Sequence, residues 1–142
     1  AQIRRLATTA RYVTSVCTGA LVLGAAGLLK GKRATSHWAW RDSLSAFGAI
    51  PDSARVVRDG NVFTGGGVTA GIDFALTVLA EVAGEEFAQS VQLGIEYAPA
   101  PPFTSGRPEL APPHVLASTQ LRYDRVRSVR DAAIQRAASR LQ

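Results

Sequence analysis

The sequence predicts an α/β layer fold with a mostly parallel sheet and an antiparallel edge hairpin. Three observations support this prediction. Short β-branched runs such as 11–16 alternate with Ala- and Leu-rich runs of helical character such as 19–29. Asp59-Gly60 lies between two short apolar runs and is a strong hairpin signal. The length of 142 residues and the hydrophobic content of 46% suit one globular domain with one core.

The first elements are predicted to be helix, strand and buried helix. The apolar positions of 1–10 share one helical face, and 11–16 is a strand because it is rich in β-branched residues. Residues 19–29 are apolar nearly all round, which predicts a buried helix. Gly31 is the expected C-cap of that helix.

A second helix is predicted after a short extended link over 32–36. It covers 37–47, with Ser36 as its N-cap and Gly48 as its terminator. Serine favours the N-cap because its hydroxyl accepts a hydrogen bond from a free backbone N–H, and glycine favours the end because it tolerates positive φ.

The predicted hairpin is followed by a glycine turn and a helix. Its strands are 54–58 and 61–64, and Gly65-Gly66-Gly67 forms the turn that opens a helix over 69–82. The inner face of that helix is predicted to contain Ala70, Phe74, Ala75, Val78 and Val82. Gly71 is predicted to allow close contact between helix and sheet.

The last third of the chain predicts two helices separated by a proline-rich loop. A helix over 85–97 precedes the segment 98–113, which holds six of the seven prolines and is therefore a loop. The remainder, 114–142, is an Arg/Ala-rich helix, helical over 115–141. Its weak apolar stripe comprises Leu121, Val126, Val129, Ala133 and Ala137. We therefore expect one domain portion over 1–113 and a C-terminal helix beyond it.

Charge and cysteine usage limit the partners and the compartment. Residues 1–106 carry nine Lys/Arg and eight Asp/Glu (+1), whereas 107–142 carry seven Arg and three acids (+4). Because the excess is spread along one helix, we expect a solvated face and no nucleic-acid partner. The longest apolar stretch, 20–29, is too short to cross a bilayer, so no membrane partner is expected. A single cysteine excludes an internal disulfide and favours a reducing, cytoplasmic setting.

The only cysteine, Cys17, is the first candidate for chemistry. It ends the strand-like run and is followed by Thr18, Gly19 and an apolar helix, the pattern of a sharp strand-to-helix turn. Free N–H groups at a helix start favour a thiolate, although free cysteines are also often inert packing residues. The N–H of Thr18 would face the same spot as an oxyanion donor. Its hydroxyl could cap the helix or relay a proton, and both possibilities stay open.

His37 is the second candidate, and metal or phosphate sites are not expected. A Cys–His pair is a recognised way to activate a thiol, but His37 could equally be a surface or capping histidine. One cysteine and two distant histidines do not make a metal site. The glycine run 65–67 lacks the Gly-Lys-Ser/Thr of a phosphate loop and the spacing of a dinucleotide fingerprint.

Four blocks of sequence, taken in this order, resemble the ThiJ/PfpI family of the class I glutamine-amidotransferase-like superfamily. They are Ser15-Val16-Cys17-Thr18-Gly19-Ala20, Gly24-Ala25-Ala26-Gly27-Leu28-Leu29, Arg33-Ala34-Thr35-Ser36-His37-Trp38 and Gly66-Gly67-Val68-Thr69-Ala70-Gly71-Ile72-Asp73. The resemblance covers roughly residues 1–97. The later block Tyr97-Ala98-Pro99-Ala100-Pro101-Pro102-Phe103 is similar to the isonitrile hydratase branch.

The resemblance implies a flavodoxin-like three-layer α/β sandwich, usually a homodimer. It implies that Cys17 is the nucleophile at the turn and that Thr18 supports catalysis. The implied reaction hydrates a small isonitrile to an N-substituted formamide without a cofactor. Several relatives carry a histidine near the nucleophile, at the position that His37 matches.

The chain departs from the family pattern in one respect. The family places an acidic residue beside the cysteine, in an earlier strand–helix unit, and no acid here takes that position; Asp73 and Asp42 match others. We therefore expect an N-terminally truncated domain with a sheet short of strands. Such a polypeptide is expected to be poorly active or inactive alone.

Two other interpretations belong to different functional classes. AraC-type transcriptional regulators carry a similar sensor domain with the same Cys-Thr-Gly block, followed by a helix-turn-helix module. The single long helix predicted over 115–141 lacks helix-turn-helix punctuation, which favours the enzyme. The second of these interpretations is a redox or glyoxal-stress member of the superfamily, in which Cys17 is oxidised or repairs carbonyls.

Overall fold

Helices and strands alternate along the chain as the sequence predicts. The structure, a computed structural model, describes residues 2–141. The helices are α1 (Gln2–Ala7), α2 (Gly19–Ala25), α3 (Ala70–Ala83), α4 (Glu85–Gly94) and α5 (Pro113–Ala138), with a 3₁₀ helix over Arg41–Phe47. The strands are β1 (Val13–Val16), β2 (Arg33–Ala34), β3 (Ile50–Pro51), β4 (Val56–Asp59) and β5 (Val62–Gly65).

The strands form one three-stranded sheet and one parallel pair. The larger sheet has the order β1-β5-β4, in which β1 and β5 run parallel with Val13 opposite Val62. β4 and β5 form the antiparallel hairpin, and β2 pairs with β3. The hairpin loop consists of Gly60 and Asn61, one residue later than predicted, because Asp59 still pairs with Val62. Gly60 has a φ of 62°, which glycine adopts without steric cost.

The core lies between β5, α2 and the 3₁₀ helix. Its fully buried members include Ala20, Leu29, Ala34 and Leu44, each with 0% of its surface exposed. A second cluster joins Phe47 of the 3₁₀ helix to Ile134 and Ala138 of α5. The C-terminal end of α5 is therefore packed against the domain.

The second predicted helix is wrong in its first turn. Residues 38–40 form turns, and only Arg41–Phe47 is helical, as a 3₁₀ helix. Ser36 does not cap this helix, because its hydroxyl bonds to the backbone of Cys17 instead. The predicted terminator is confirmed: Gly48 has a φ of 71° and ends the helix in the left-handed conformation.

Helix α2 is shorter and less buried than its sequence predicts. It ends at Ala25, and Gly27 with a φ of 74° follows its C-cap, in place of Gly31. Ala20, Leu23 and Gly24 are buried, but Val22 is 52% exposed. An apolar composition all round therefore overstates the burial of this helix.

Three packing predictions in the second half fail in part or in full. On α5, Leu121 and Val129 are 65% and 73% exposed, whereas the packed face contains Ile134 and Ala138. On α3, Ala70 is buried but Val82 of the predicted inner face is exposed. A side chain at Gly71 would meet no atom within 4 Å, so this glycine allows no close approach.

Within residues 2–141, no helix combines the length and the apolar character needed to cross a membrane.

Candidate functional site

Cys17 occupies a strained turn between β1 and α2. Its φ is 57°, a left-handed conformation that residues with a Cβ rarely adopt. Its N–H donates to the carbonyl oxygens of Gly65 and Gly66, at 3.0 and 2.8 Å. These two hydrogen bonds hold Cys17 in its strained conformation. Such strain is common where a side chain is positioned for function. The turn has the geometry that the sequence predicts at this residue.

Buried hydroxyl residues next to His37 also support the Cys17 turn. Ser36 Oγ donates a hydrogen bond of 2.8 Å to the carbonyl oxygen of Cys17. The N–H of Thr35 donates to Oγ1 of Thr64 in β5, at 2.9 Å. All three hydroxyl residues are buried, with 3% exposure or less. The loop before His37 is therefore fixed to both the turn and the sheet.

Thr18 occupies the N-cap of α2, but its hydroxyl does not cap the helix. Its backbone is helical (φ −71°, ψ −3°), and its side chain makes no capping hydrogen bond. Its carbonyl accepts the N–H of Leu21 at 3.1 Å. The sequence left two roles open for this hydroxyl, a helix cap and a proton relay. The structure does not show the capping hydrogen bond.

The His37 ring is directed to α5 and its own loop. Its Nδ1 accepts the N–H of Ala39 at 3.2 Å, which places the proton of the neutral ring on Nε2. Nε2 lies 3.5 Å from the hydroxyl of Tyr123. Within residues 2–141, no hydrogen bond joins the ring to the Cys17 thiol. Cys17 and His37 are thus brought to neighbouring loops but are not paired.

The charge state of His37 is set by its surroundings. Partial burial lowers the pKa of His37 from 6.5, because a charged ring loses hydration there. The positive charge of Arg130 lowers this pKa further. At neutral pH the ring is therefore uncharged.

A cavity of about 570 Å³ adjoins the turn. Ser36 and Gly66, two of the three residues that bond the backbone of Cys17, line it, whereas Cys17 itself does not. The lining residues are Thr35, Ser36, His37, Trp38, Arg41, Ser53, Ala54, Arg55, Gly66, Gly67, Val68, Thr69, Gly106, Arg107, Pro108, Glu109 and Leu110. The cavity is thus bordered by the proline-rich loop on one side and by the His37 loop on the other.

Two carboxylates near this region, Asp73 and Asp42, lie beside arginines, whereas Glu109 lines the cavity itself. Asp73 pairs with Arg55 and accepts the hydroxyl of Tyr97 at 3.0 Å. Asp42 is 88% exposed and lies 3.5 Å from Arg41. In the part of the chain that the structure describes, no cluster of three His, Cys, Asp or Glu side chains could hold a metal ion.

Several site residues are not apparent from the sequence. The role of Ser36 depends on a partner 19 positions away, and Arg107 reaches the cavity from a loop predicted only as a linker. Tyr123 lies in the helix beyond the predicted domain, 86 positions from His37. The serine beside the histidine is the one signal in the sequence, but the same residue type also predicts a local cap.

Comparison with known proteins gives the chain its family. It is 60% identical to the isonitrile hydratase of Pseudomonas putida over 139 residues, which are 98% of this chain and 61% of that protein. A ThiJ/PfpI family protein from Pseudomonas syringae superposes with a TM-score of 0.86 at 48% identity, over 96% of this chain and 55% of that one. The HTH-type transcriptional regulator GlxA of Rhizobium meliloti is 38% identical over 91 residues, 63% of this chain and 28% of the regulator.

These similarities confirm the predicted α/β fold and the predicted resemblance. The chain spans 61% of the length of the hydratase and 55% of the solved ThiJ/PfpI chain. The model of the DJ-1/PfpI family matches residues 1–81, more than half of the sequence. The chain therefore belongs to the DJ-1/PfpI family.

Proposed function

We propose that the protein hydrates an isonitrile, R–N≡C, to the formamide R–NH–CHO, with Cys17 as the nucleophile. The observation that carries this proposal is the left-handed backbone of Cys17, with a φ of 57° at the β1–α2 turn. The identity of 60% to the Pseudomonas putida isonitrile hydratase supports the choice of reaction. Because the chain spans 61% of that hydratase, the activity of the longer protein is part of the proposal.

The proposed course uses one thiol and one water. Sγ of Cys17 attacks the terminal carbon of the isonitrile, and that carbon takes up the proton given up by the thiol. The product is a thioimidate, R–N=CH–S–Cys17. Water then adds to the same carbon while the nitrogen gains a proton. The C–S bond breaks, which releases R–NH–CHO and restores the thiol.

Thr18 is proposed to move the proton between sulfur and substrate. Its hydroxyl makes no capping bond and belongs to the residue next to the nucleophile, which supports this assignment. His37 is proposed to hold the loop beside the cavity and not to deprotonate the thiol. The bond from Ala39 to its Nδ1 supports that role, because it occupies the basic nitrogen of the neutral ring.

The experiment that tests the reaction measures formamide directly. The protein at high concentration is incubated with a simple alkyl isonitrile, and the formyl proton is followed by NMR. We expect slow turnover by the wild type, because no acid of this chain takes the family's position beside Cys17. Cys17→Ala should abolish this turnover and Thr18→Val should strongly reduce it. Thr14→Val is the matched control, since Thr14 is exposed on β1. Equal rates for wild type and Cys17→Ala, including no formamide from either, would contradict the proposal.

A ligand-sensing role is the second candidate. The identity of 38% to the HTH-type regulator GlxA over 91 residues favours it. A sensor would bind its ligand without consuming it, and Cys17→Ala would leave that binding intact. Cys17-dependent release of formamide would therefore exclude a purely sensory role.

We further propose that the protein is a cytoplasmic homodimer that acts on a small molecule. A free cysteine in the role of nucleophile suits a reducing compartment. Exposed apolar side chains such as Val22 and Val129 supply surface for self-association. Sedimentation equilibrium tests the dimer, and a single species of about 15.0 kDa at micromolar concentration would exclude it.

A further inference from the structure

We propose that the cavity beside Cys17 binds small molecules through a carboxylate group. Combined with the proposed reaction, on which this part rests, the preferred substrates are isonitriles that carry a carboxylate on the substituent R. The carboxylate site itself is argued from the cavity alone.

The cavity has an excess of positive charge. Its lining contains three arginines and one acid, Glu109. Because Asp73 neutralises Arg55, Arg41 and Arg107 are left against Glu109, a balance of +1. His37 adds no charge at neutral pH, because burial and Arg130 lower its pKa. A concave site lined by one sign of charge concentrates ligands of the opposite sign.

Two of the three arginines have donors to spare. Arg55 is paired with Asp73 and bonds Thr69, so its charge is compensated within the protein. In residues 2–141, the side chain of Arg107 forms neither an ion pair nor a hydrogen bond. Arg41 has only Asp42 within 4.0 Å, at 3.5 Å, and no hydrogen bond. Arg41 and Arg107 therefore offer free N–H groups at the same cavity.

Burial makes Arg41 the stronger of the two anchors. Its side chain is 23% exposed, whereas the carboxylate of its partner Asp42 is 88% exposed. A mostly covered cation whose partner is solvated keeps an unmet demand for an anion. A guanidinium binds a planar carboxylate through two parallel hydrogen bonds, which a neutral group of the same size cannot match.

The rest of the lining suits the remainder of such a molecule. Trp38, Val68, Pro108 and Leu110 provide apolar surface for a substituent R, and about 570 Å³ accommodates a small ligand. Ser36 and Gly66, which bond the Cys17 backbone, lie in the same wall. The other end of a ligand held by its carboxylate can therefore lie against the wall that supports the Cys17 turn.

The binding test uses products of the proposed reaction, which are not turned over. The 142-residue chain is titrated by calorimetry with 4-formamidobenzoate and with the neutral 4-formamidobenzamide. We expect about tenfold tighter binding of the carboxylate, and loss of this preference in Arg107→Gln and in Arg41→Gln. Arg41→Lys keeps the charge without the planar fork and should retain only part of the preference. Arg122→Gln, on the exposed part of α5, is the matched control and should change nothing.

Three outcomes would overturn the carboxylate site. They are equal affinity for the two ligands, a preference that survives both glutamine substitutions, and tighter binding of 4-formamidophenyl phosphate than of the carboxylate. Thermal melts of each variant show whether the fold is retained, and Arg107→Gln alone decides if Arg41→Gln unfolds.

Turnover is measured separately so that the two proposals fail separately. For 4-isocyanobenzoate against phenyl isonitrile we expect a lower KM with kcat little changed. The absence of Cys17-dependent formamide together with a kept carboxylate preference removes the reaction and retains the site. Turnover with no preference in KM or in binding removes the site and retains the reaction.

Discussion

The hydroxyl of Ser36 donates a hydrogen bond to the carbonyl oxygen of Cys17, with 2.8 Å between the two oxygens. Ser36 is 3% exposed, so water does not compete for this bond. The preceding residue, Thr35, is bonded in turn to Thr64 of β5 at 2.9 Å. The loop before His37 thus links the strained turn to the central strand, and a shift of this loop would move Cys17.

Ser36→Ala should therefore affect both stability and chemistry. It leaves the half-buried carbonyl of Cys17 without this donor, so we expect a loss of about 1 kcal/mol in the free energy of unfolding. Turnover should fall as well, because the turn loses one of its supports. Urea denaturation and the formamide assay measure the two effects. Ser45→Ala, on an exposed position of the 3₁₀ helix, is the control. A stability equal to that of the control would show that the bond contributes nothing.

Tyr123 should stabilise the His37 loop mainly through its ring. The ring lies 5.4 Å from those of His37 and Trp38, and 6.2 Å from that of Trp40. Tyr123→Phe keeps these contacts and should cost less than about 1 kcal/mol, whereas Tyr123→Leu should cost about 1–3 kcal/mol. The two tryptophans of the chain both lie in this cluster, so intrinsic fluorescence reports on it directly.

The expected fluorescence result separates local from global change. Tyr123→Leu should shift the emission of the folded protein to longer wavelength, because Trp38 and Trp40 gain access to water. Leu121→Ala, two residues earlier at a position 65% exposed, should leave the emission unchanged. Identical spectra for Tyr123→Leu and wild type would mean that Tyr123 does not shield the cluster.

Two glycines in helices should respond to alanine in opposite directions. A Cβ at Gly24 would approach Cγ of Phe47 to 2.8 Å, so Gly24→Ala should destabilise the fold by about 1–3 kcal/mol. A Cβ at Gly71 would meet nothing within 4 Å, so Gly71→Ala should stabilise it by about 0.5–1 kcal/mol. Thermal and urea denaturation measure both. Stabilisation by Gly24→Ala would refute the packing at Phe47, and destabilisation by Gly71→Ala would refute the open space at Gly71.

The turn at Cys17 could be predicted from the sequence because its causes are local. A β-branched run, then Cys-Thr-Gly, then an Ala- and Leu-rich run specify strand, turn and helix within about fifteen residues. The end of the 3₁₀ helix at Gly48 could be predicted for the same reason, since a helix that ends in the left-handed conformation strongly favours glycine.

The remaining errors come from contacts distant in sequence. Serine beside a helix usually caps that helix, so the sequence predicts Ser36 as a cap. In the structure the Ser36 hydroxyl bonds Cys17 instead. The packed face of α5 was missed because part of it is not apolar: the guanidinium of Arg130 lies 4.1 Å from the Trp40 ring. Stacked arginines bury surface that a search for apolar periodicity does not count. Arg41 and Arg107 lie 66 positions apart, so the sequence does not show that they line the same cavity.

The stability of the protein should depend on the titration of His37. Burial lowers the pKa of His37 in the folded state from 6.5, and the charge of Arg130 lowers it further. Between the lowered pKa and 6.5, the unfolded state binds more protons than the folded state, so stability rises with pH there. The contribution of His37 is therefore complete above pH 6.5 and is lost as the pH falls through its folded pKa.

His37→Gln should remove this part of the pH dependence, which appears as the difference between the two unfolding curves below pH 6.5. NMR titration of the imidazole protons tests the cause. The chain has two histidines, and the spectrum of His37→Gln assigns them. Arg130→Gln should raise the pKa of His37, because a repelling charge is removed. Arg127→Gln, a neighbouring cation 5.4 Å from Trp40, should raise it less. Parallel unfolding curves for wild type and His37→Gln across this range would refute the coupling of His37 to folding.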